Sequence, residues 1–281
     1  MHKQLRDNLQ FTDLIGESAM VKSIYTPLSG ALAQERALEI VANNLANVNT
    51  SGFKAEKITF KKLISEPEKN YTSPLPPANY KISLEDIMPL RGNEVDYVGI
   101  DKVYTDMTKG PERVTNNPMD FMIDGQGFFK VHTHQGERLT RDGSFSLDTN
   151  GVLVNKDGHA VLGERGNIFL YGQDFKVNQN GEVYQDGRLI DRILVVDVAD
   201  TTQLEKQGGN LYFYGGPEQD LSRIDIPTVI QGSIEGSNVN AIENLTQMIV
   251  AHRSYEAYTK ALKNYDSMME KSNNEIGRIQ G

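Results

Sequence analysis

Residues 240–279 read NAIENLTQMIVAHRSYEAYTKALKNYDSMMEKSNNEIGRI, and neither proline nor glycine interrupts the run from Ser237 to Ile276. Asn240 carries the short acceptor side chain of a helix N-cap, and Glu243, three residues later, completes the pattern of a capping box. Counting in sevens gives one row of Met248, Tyr255, Leu262, Met269 and Ile276, and a companion row of Ala251, Tyr258, Tyr265, Ser272 and Ile279. Over about five heptads that spacing is coiled-coil-like. The alternative is an ordinary amphipathic helix lying on a neighbouring domain.

A second helix is expected at the other end of the chain, over 27–48. Pro27 would sit near its start, where a missing N–H is harmless. At 100° per residue Ala31, Leu38, Val41, Ala42, Leu45 and Val48 share one arc, while Asn43, Asn44 and Asn47 fall on another. Gly52 is a natural stop. A solvated helix face is normally built from Lys and Glu, which favour helix more than Asn does. Amides donate and accept together, so this stripe suits lateral hydrogen bonds between packed helices. The bland reading is that asparagine is tolerated near a helix end.

Residues 60–95 hold Pro67, Pro74, Pro76, Pro77 and Pro89 and read as an irregular connector. From about 96 to 232 the pattern turns to strands. Asp-Gly occurs at 124–125, 142–143, 157–158 and 186–187, and Asn-Gly at 150–151 and 180–181, between short β-prone runs. Such dipeptides are the strongest short-range hairpin signal. Phe145 precedes Asn150-Gly151 as Phe175 precedes Asn180-Gly181, which suggests two similar hairpin units and no third. The expected fold is α+β. The terminal helices pair as an α-helical coiled coil, a central all-β domain is made of hairpins, and a Pro-rich connector lies between. The expected boundaries are an extension at 1–19, disordered or preceding the true start at Met20; a discontinuous helical domain from 20–54 and 236–281; the connector at 55–95; and the β domain at 96–235. A fragment stripped of 1–54 and 236–281 is expected to stay folded.

Composition narrows the function. The 281 residues carry a formal net charge of −9, and no Lys/Arg block appears, so nucleic acid and anionic membranes are poor partners. There is no cysteine, hence no disulfide and no thiolate metal site. No apolar run is long enough to insert in a membrane. The first residues lack the apolar core of a cleaved signal peptide.

Chemistry is sought and mostly not found. Gly125-Gln126-Gly127 leads into Phe128-Phe129 rather than a third glycine and a helix, so it is no dinucleotide loop. Asp148-Thr149-Asn150 and Asn178-Gln179-Asn180 begin like calcium loops but lack the later Gly and Glu; turn chemistry explains them better. His132 and His134 would share a strand face without a third metal ligand. No Gly-x-Ser-x-Gly elbow occurs, and no carboxylate pair is singled out. A wall hydrolase therefore lacks any motif. A wall-binding module would need Phe128, Phe129, Tyr212 and Tyr214 on the surface, whereas strand-core positions suit them better. No catalytic residue, cofactor or metal is expected.

The segment Ala42-Asn43-Asn44-Leu45-Ala46-Asn47-Val48-Asn49-Thr50-Ser51-Gly52-Phe53-Lys54 resembles the N-terminal signature of bacterial flagellar rod and hook proteins. Residues 236–240 and 248–256 resemble the matching C-terminal signature. Asn117-Pro118-Met119-Asp120 through Phe129, and Thr140-Arg141-Asp142-Gly143-Ser144-Phe145, resemble the start of that family's β domain. The resemblance covers residues 20–281. Val161-Leu162-Gly163 and the run 235–240 look most like the proximal-rod members, with distal-rod or hook members second. His252 departs from the usual Gln, and residues 1–19 precede the point where relatives begin. The resemblance implies a structural, non-enzymatic subunit of the basal-body rod in the periplasm. It would be exported by the flagellar export apparatus without a cleaved signal. Its partners would be copies of itself and other rod subunits, met through the terminal helices. The expected assembly residues are Leu38, Val41, Asn43, Asn44, Leu45, Asn47, Val48, Met248, Tyr255, Tyr258, Leu262, Tyr265, Met269 and Ile276.

Overall fold

The structure, a computed structural model, describes residues 2–64, 96–172 and 174–279, with side chains from residue 24 onward except at 64, 96, 218, 272, 273 and 275–279. The prolines at 67–89 fall outside the described residues. The chain divides into two compact units. One is formed by residues 1–40, 58–103 and 246–281, the other by 41–57 and 104–245. The second unit thus holds not only the β domain but also the last residues of the first helix and the first residues of the second.

Helix α1 spans His2–Ala46, with Pro27 inside it. The expected start at residue 27 is therefore corrected. Proline removes one backbone bond, and the turns on either side carry the helix across that loss. In the first unit Ala31, Ala33, Ala37 and Ile40 are buried along α1. Strand β1 (Glu56–Ile64) pairs with β2 (Asp96–Thr105) in a two-stranded sheet. Residues 56–64, expected as irregular connector, are thus strand: Ile58, Thr59 and Phe60 are β-formers, and no proline falls within the stretch. The Ser29 hydroxyl of α1 accepts a bond from the Val98 N–H of β2 at 3.4 Å.

The second unit is a body of short antiparallel strands. These are β3 (Glu112–Val114), β4 (Phe121–Ile123), β5 (Phe128–Thr133), β6 (Gly136–Thr140), β7 (Ser146–Leu147), β8 (Leu153–Val154), β9 (Ala160–Gly163), β10 (Gly166–Asn167), β11 (Phe175–Val177), β12 (Glu182–Gln185), β13 (Arg188–Arg192), β14 (Val195–Val198), β15 (Leu204–Lys206), β16 (Leu211–Tyr214), β17 (Leu221–Arg223), β18 (Val229–Gln231) and β19 (Ser233–Glu235). The main sheet runs β15-β16-β6-β5-β9-β8-β7; β10 adds to β9, and β14 bridges β5 and β17. Strands β11–β13 form a smaller sheet, and β18 with β4 and β19 with β3 make two-stranded ribbons. The core gathers Phe121, Phe129, Val131, Phe145, Leu153, Val161, Ile168, Phe175 and Ile193, with the Phe129 and Phe145 rings edge-to-face at 5.3 Å. Helix α2 (Ala241–Ile279) follows β19 after five residues.

Three turns share one hydrogen-bond plan. At 148–152, 155–159 and 178–182 the first side-chain oxygen (Asp148, Asn155, Asn178) accepts from the backbone N–H groups two and four residues on, at 2.8–3.0 Å. The glycine N–H (Gly151, Gly158, Gly181) closes onto the first residue's carbonyl at 3.0–3.1 Å. Each turn joins strands in the same register: Leu147 pairs with Leu153, Val154 with Ala160, and Val177 with Val183. The expected pair of hairpin units is therefore three. The shared signal is Asx-x-Asx-Gly, which Asn155-Lys156-Asp157-Gly158 also carries without a phenylalanine ahead of it. These acceptor oxygens belong to turn chemistry, as the sequence suggested. Asp186-Gly187, with φ of 51° and 75°, makes the two-residue turn between β12 and β13. Asp124-Gly125 and Asp142-Gly143 join no paired strands.

Candidate assembly residues and the joint at the helix ends

Asn240 caps α2 as expected: its Oδ1 accepts from the N–H groups of Ile242 at 3.1 Å and Glu243 at 3.3 Å. Beyond the cap, burial along α2 follows the heptads. Met248, Tyr255, Tyr258, Leu262, Tyr265 and Met269 are half-buried and Ala251 is buried, while Arg253, Glu256, Lys260, Lys263 and Asp266 are exposed. The Ile276 side chain lies outside the described residues. Within the first unit the two helices meet where the Tyr258 ring lies against Gly30. A β-carbon there would stand 2.6 Å from the ring, so glycine makes the approach possible.

Sequence periodicity missed a second feature of α2. Leu245, Ile249, Val250 and Met268 are exposed, Ile249 at 57% and Val250 at 59%. At 100° per residue Ile249 and Val250 lie away from the heptad rows, while Leu245 sits about 60° from Met248, at their edge. The signal was present as apolar residues outside the seven-residue count. On α1 Leu32 is likewise exposed, Leu38 and Leu45 are half-buried, and Val41 is buried; Val48, just past the helix end, is half-buried. Ala42, grouped with the apolar arc, is exposed.

The amide stripe is used differently from the expectation. Asn44 is 4% exposed. Its Oδ1 accepts from the Glu56 N–H at 2.9 Å, and its Nδ2 donates to the Glu56 carbonyl at 2.8 Å. It also reaches Asn244 Oδ1 at 3.5 Å. Asn44 therefore does for residue 56 what a neighbouring strand would do, and has no amide left for a lateral partner. Asn47 Nδ2 donates to the Asn43 carbonyl at 2.8 Å, and its Oδ1 accepts from Thr50 Oγ1 at 3.2 Å. Only Asn43 is exposed among the three.

Just past Asn47 the chain enters the body of the second unit. Ser51, Gly52, Phe53, Lys54 and Ala55 are all buried. Gly52 has φ of 67°, and a β-carbon there would overlap the backbone of Arg141 and Asp142, so only glycine fits. The Ser51 hydroxyl donates to Asp142 Oδ1 at 2.6 Å and accepts from Lys156 Nζ at 2.9 Å. Lys54 and Glu235, each with its side chain 1% exposed, form an ion pair at 2.6 Å. Lys54 Nζ also donates to the Thr108 carbonyl at 2.8 Å. The same Glu235 oxygen accepts the Gly110 N–H at 2.8 Å, and its other oxygen lies 3.3 Å from Arg141 Nη1. Burial lowers the lysine's proton affinity, and Glu235 opposes that shift. Burial likewise lowers Arg141, against the pull of Glu235 and Asp197.

The cluster continues toward α2. Asn238 Oδ1 accepts the Ala55 N–H at 2.7 Å, and its Nδ2 donates to the Asp106 carbonyl at 2.8 Å. Phe53, Ala55 and Val239 pack together, with Val48 against them, and Lys206 Nζ sits 3.9 Å above the centre of the Phe53 ring. The three sequence signatures, at 42–54, 140–145 and 236–240, thus meet in one buried joint.

The other candidates resolve simply. Phe128, Phe129 and Tyr212 are buried, and Tyr214 is half-buried, so they supply no exposed binding platform. His134 lies beyond the end of β5, so it does not share a strand face with His132; the ring beside it is His159, at 6.2 Å. Among the described residues no group of three or more His, Asp or Glu is placed to hold a metal ion. No described helix is long and apolar enough to cross a membrane.

Family models match in three places. The model described as flagella basal body rod protein matches residues 24–54, that of the flagellar hook protein FlgE/F/G D1 domain 122–185, and that of the flagellar basal body rod FlgEFG protein C-terminal 230–275. The chain is 30% identical over 263 residues to the flagellar basal-body rod protein FlgF of Caulobacter vibrioides, covering 92% of this chain and all of that one. It is 32% identical over 267 residues to FlgG of Buchnera aphidicola subsp. Acyrthosiphon pisum (90% and 98% covered) and 29% identical over 269 residues to FlgG of Bacillus subtilis (89% and 97%). The chain belongs to the flagellar rod and hook family, as a structural basal-body rod protein of the FlgF or FlgG type.

Proposed function

We propose that this rod subunit polymerises helically through its terminal helices, paired as a coiled coil, into the periplasm-spanning shaft that carries motor torque to the hook. The observation that carries this reading is the division of labour along α2. Its heptad rows are half-buried, while Ile249 and Val250, outside those rows, and Leu245 at their edge are left exposed. Clustered exposed apolar side chains mark protein contacts. A shaft needs a heterologous interface that repeats without closing. Copies of this chain and other rod subunits are the partners. The apolar rows of both helices and Asn43 are the assembly residues, to which the exposed set on α2 is added. The subunit is not an enzyme, and it reaches the periplasm through the flagellar export apparatus without a cleaved signal. The stretches at 161–163 and 235–240 favour the proximal position, and subunit-resolved density of an intact basal body tests it.

The fragment 41–245 tests the assembly reading. It keeps the whole second unit and loses most of both helices. It is expected to fold, but neither to enter the rod nor to restore swimming to cells lacking the gene. Normal motility with that fragment would refute the reading.

A further inference from the structure

We propose that Glu235 is the positioning residue through which load passes between the two helix ends and the β domain. This inference rests on the rod reading above and adds the path that force takes inside one subunit.

The geometry is that of a keystone. Three separated segments meet at one residue: Lys54 and Gly110 on one carboxylate oxygen, Arg141 on the other, and the N–H of Gly52, from the same segment as Lys54, on the Glu235 carbonyl at 2.8 Å. Lys54 lies eight residues past the end of α1, and Glu235 six residues before α2. Asn44 and Asn238 fix the spans between. Asn44 ties the last turn of α1 to residue 56, and Asn238 ties the approach to α2 onto residues 55 and 106. Neither helix end can turn against the β domain without breaking several buried, charge-assisted bonds at once. A loose hinge here would absorb twist, whereas a bonded, dehydrated cluster passes it on. A purely apolar joint would serve stability as well. It would lack directional bonds to resist rotation.

The charges make the idea testable apart from folding. Lys54, Arg141 and Glu235 together carry one net positive charge. Glu235→Gln raises that to two and should lower the melting temperature sharply. The double substitution Lys54→Met with Glu235→Gln restores one, and should recover most of the loss while leaving the joint without its carboxylate. Each variant is placed in cells lacking the gene, and swimming is compared in dilute buffer and in a viscous polymer solution. The expected result is that the double variant swims in buffer and fails as viscosity rises, while the unaltered chain swims in both. Equal viscosity dependence of the two would overturn the proposal. Failure of the unaltered chain to restore swimming would overturn the rod reading, and this inference with it. Hydrogen exchange on the unaltered protein gives an independent check. The Gly52 and Gly110 amides, both held by Glu235, should be among the slowest to exchange, and exchange at the rate of surface turns would contradict the keystone.

Discussion

The joint and the long helices solve opposite problems with opposite chemistry. Around residues 51–55 and 235–239 nearly every polar group is buried and paired inside the subunit. Along α2 the heptad rows are mostly half-buried aromatics and methionines, and several aliphatics outside them are exposed. The difference teaches where motif and mechanism separate. The family signature at 42–54 is largely spent on closing its own subunit. The surface proposed for neighbours lies on α2, where Ile249 and Val250 fall inside the C-terminal signature but outside its heptad count.

Substitutions at the joint should cost much folded stability, and substitutions on the exposed helix face almost none. The largest effect is expected from Lys54→Met, which leaves Glu235 with Arg141, at 3.3 Å, as its one remaining cation among these partners. Removing one partner of a buried pair costs about 3–5 kcal/mol, so chemical denaturation should show a midpoint far below that of the parent. Next is Asn44→Ala, which orphans the N–H and carbonyl of Glu56. An unsatisfied buried group costs about 1–3 kcal/mol, readable in the same experiment. An equal loss from Asn43→Ala, which is exposed, would blur the contrast.

Acid should act more weakly. Burial pushes the Asp106 carboxyl up, but its hydrogen bonds from Lys57 and Thr108 outweigh that and hold it below the ordinary 3.8. Because the folded value is the lower one, the stabilisation is complete above pH 3.8 and is lost as pH falls through the folded value. Lys57 is half-exposed, which limits the pair to about 0.2–1 kcal/mol. Asp106→Asn should flatten that part of a stability–pH curve. The smallest effect on folding is expected from Ile249→Ser, within about 0.5 kcal/mol for an exposed site. The same change should nevertheless reduce incorporation into rods. If it unfolded the subunit, the exposed face would be a folding surface after all.

Much of this was legible in the sequence for a physical reason: short-range rules leave short-range marks. The cap at Asn240, the heptads of α2 and the turns at 150–151, 180–181 and 186–187 depend on residues within seven places of each other. Lys54 pairs with Glu235 across most of the chain, so no local pattern marks it. Asn44 was read as facing a neighbour because its amide looked unexplained by water. The explanation was residue 56, twelve places on, in a strand hidden by the expectation of a connector. Pro27 misled in the opposite way, since a helix already formed on both sides can contain it. The expectation that 55–235 would stand alone rests on the same local rules and takes no account of Lys54, Phe53 and Val239, which that fragment lacks.

The central claim is that the signature residues at 42–54 and 236–240 belong to the fold of the β unit. It is tested most directly by comparing the thermal unfolding of two fragments, 41–245 and 55–235. The account expects 41–245 to melt cooperatively, and 55–235, with Glu235 stripped of its lysine and the Phe53 cluster gone, to melt far lower or not to fold. Equal melting temperatures would contradict it.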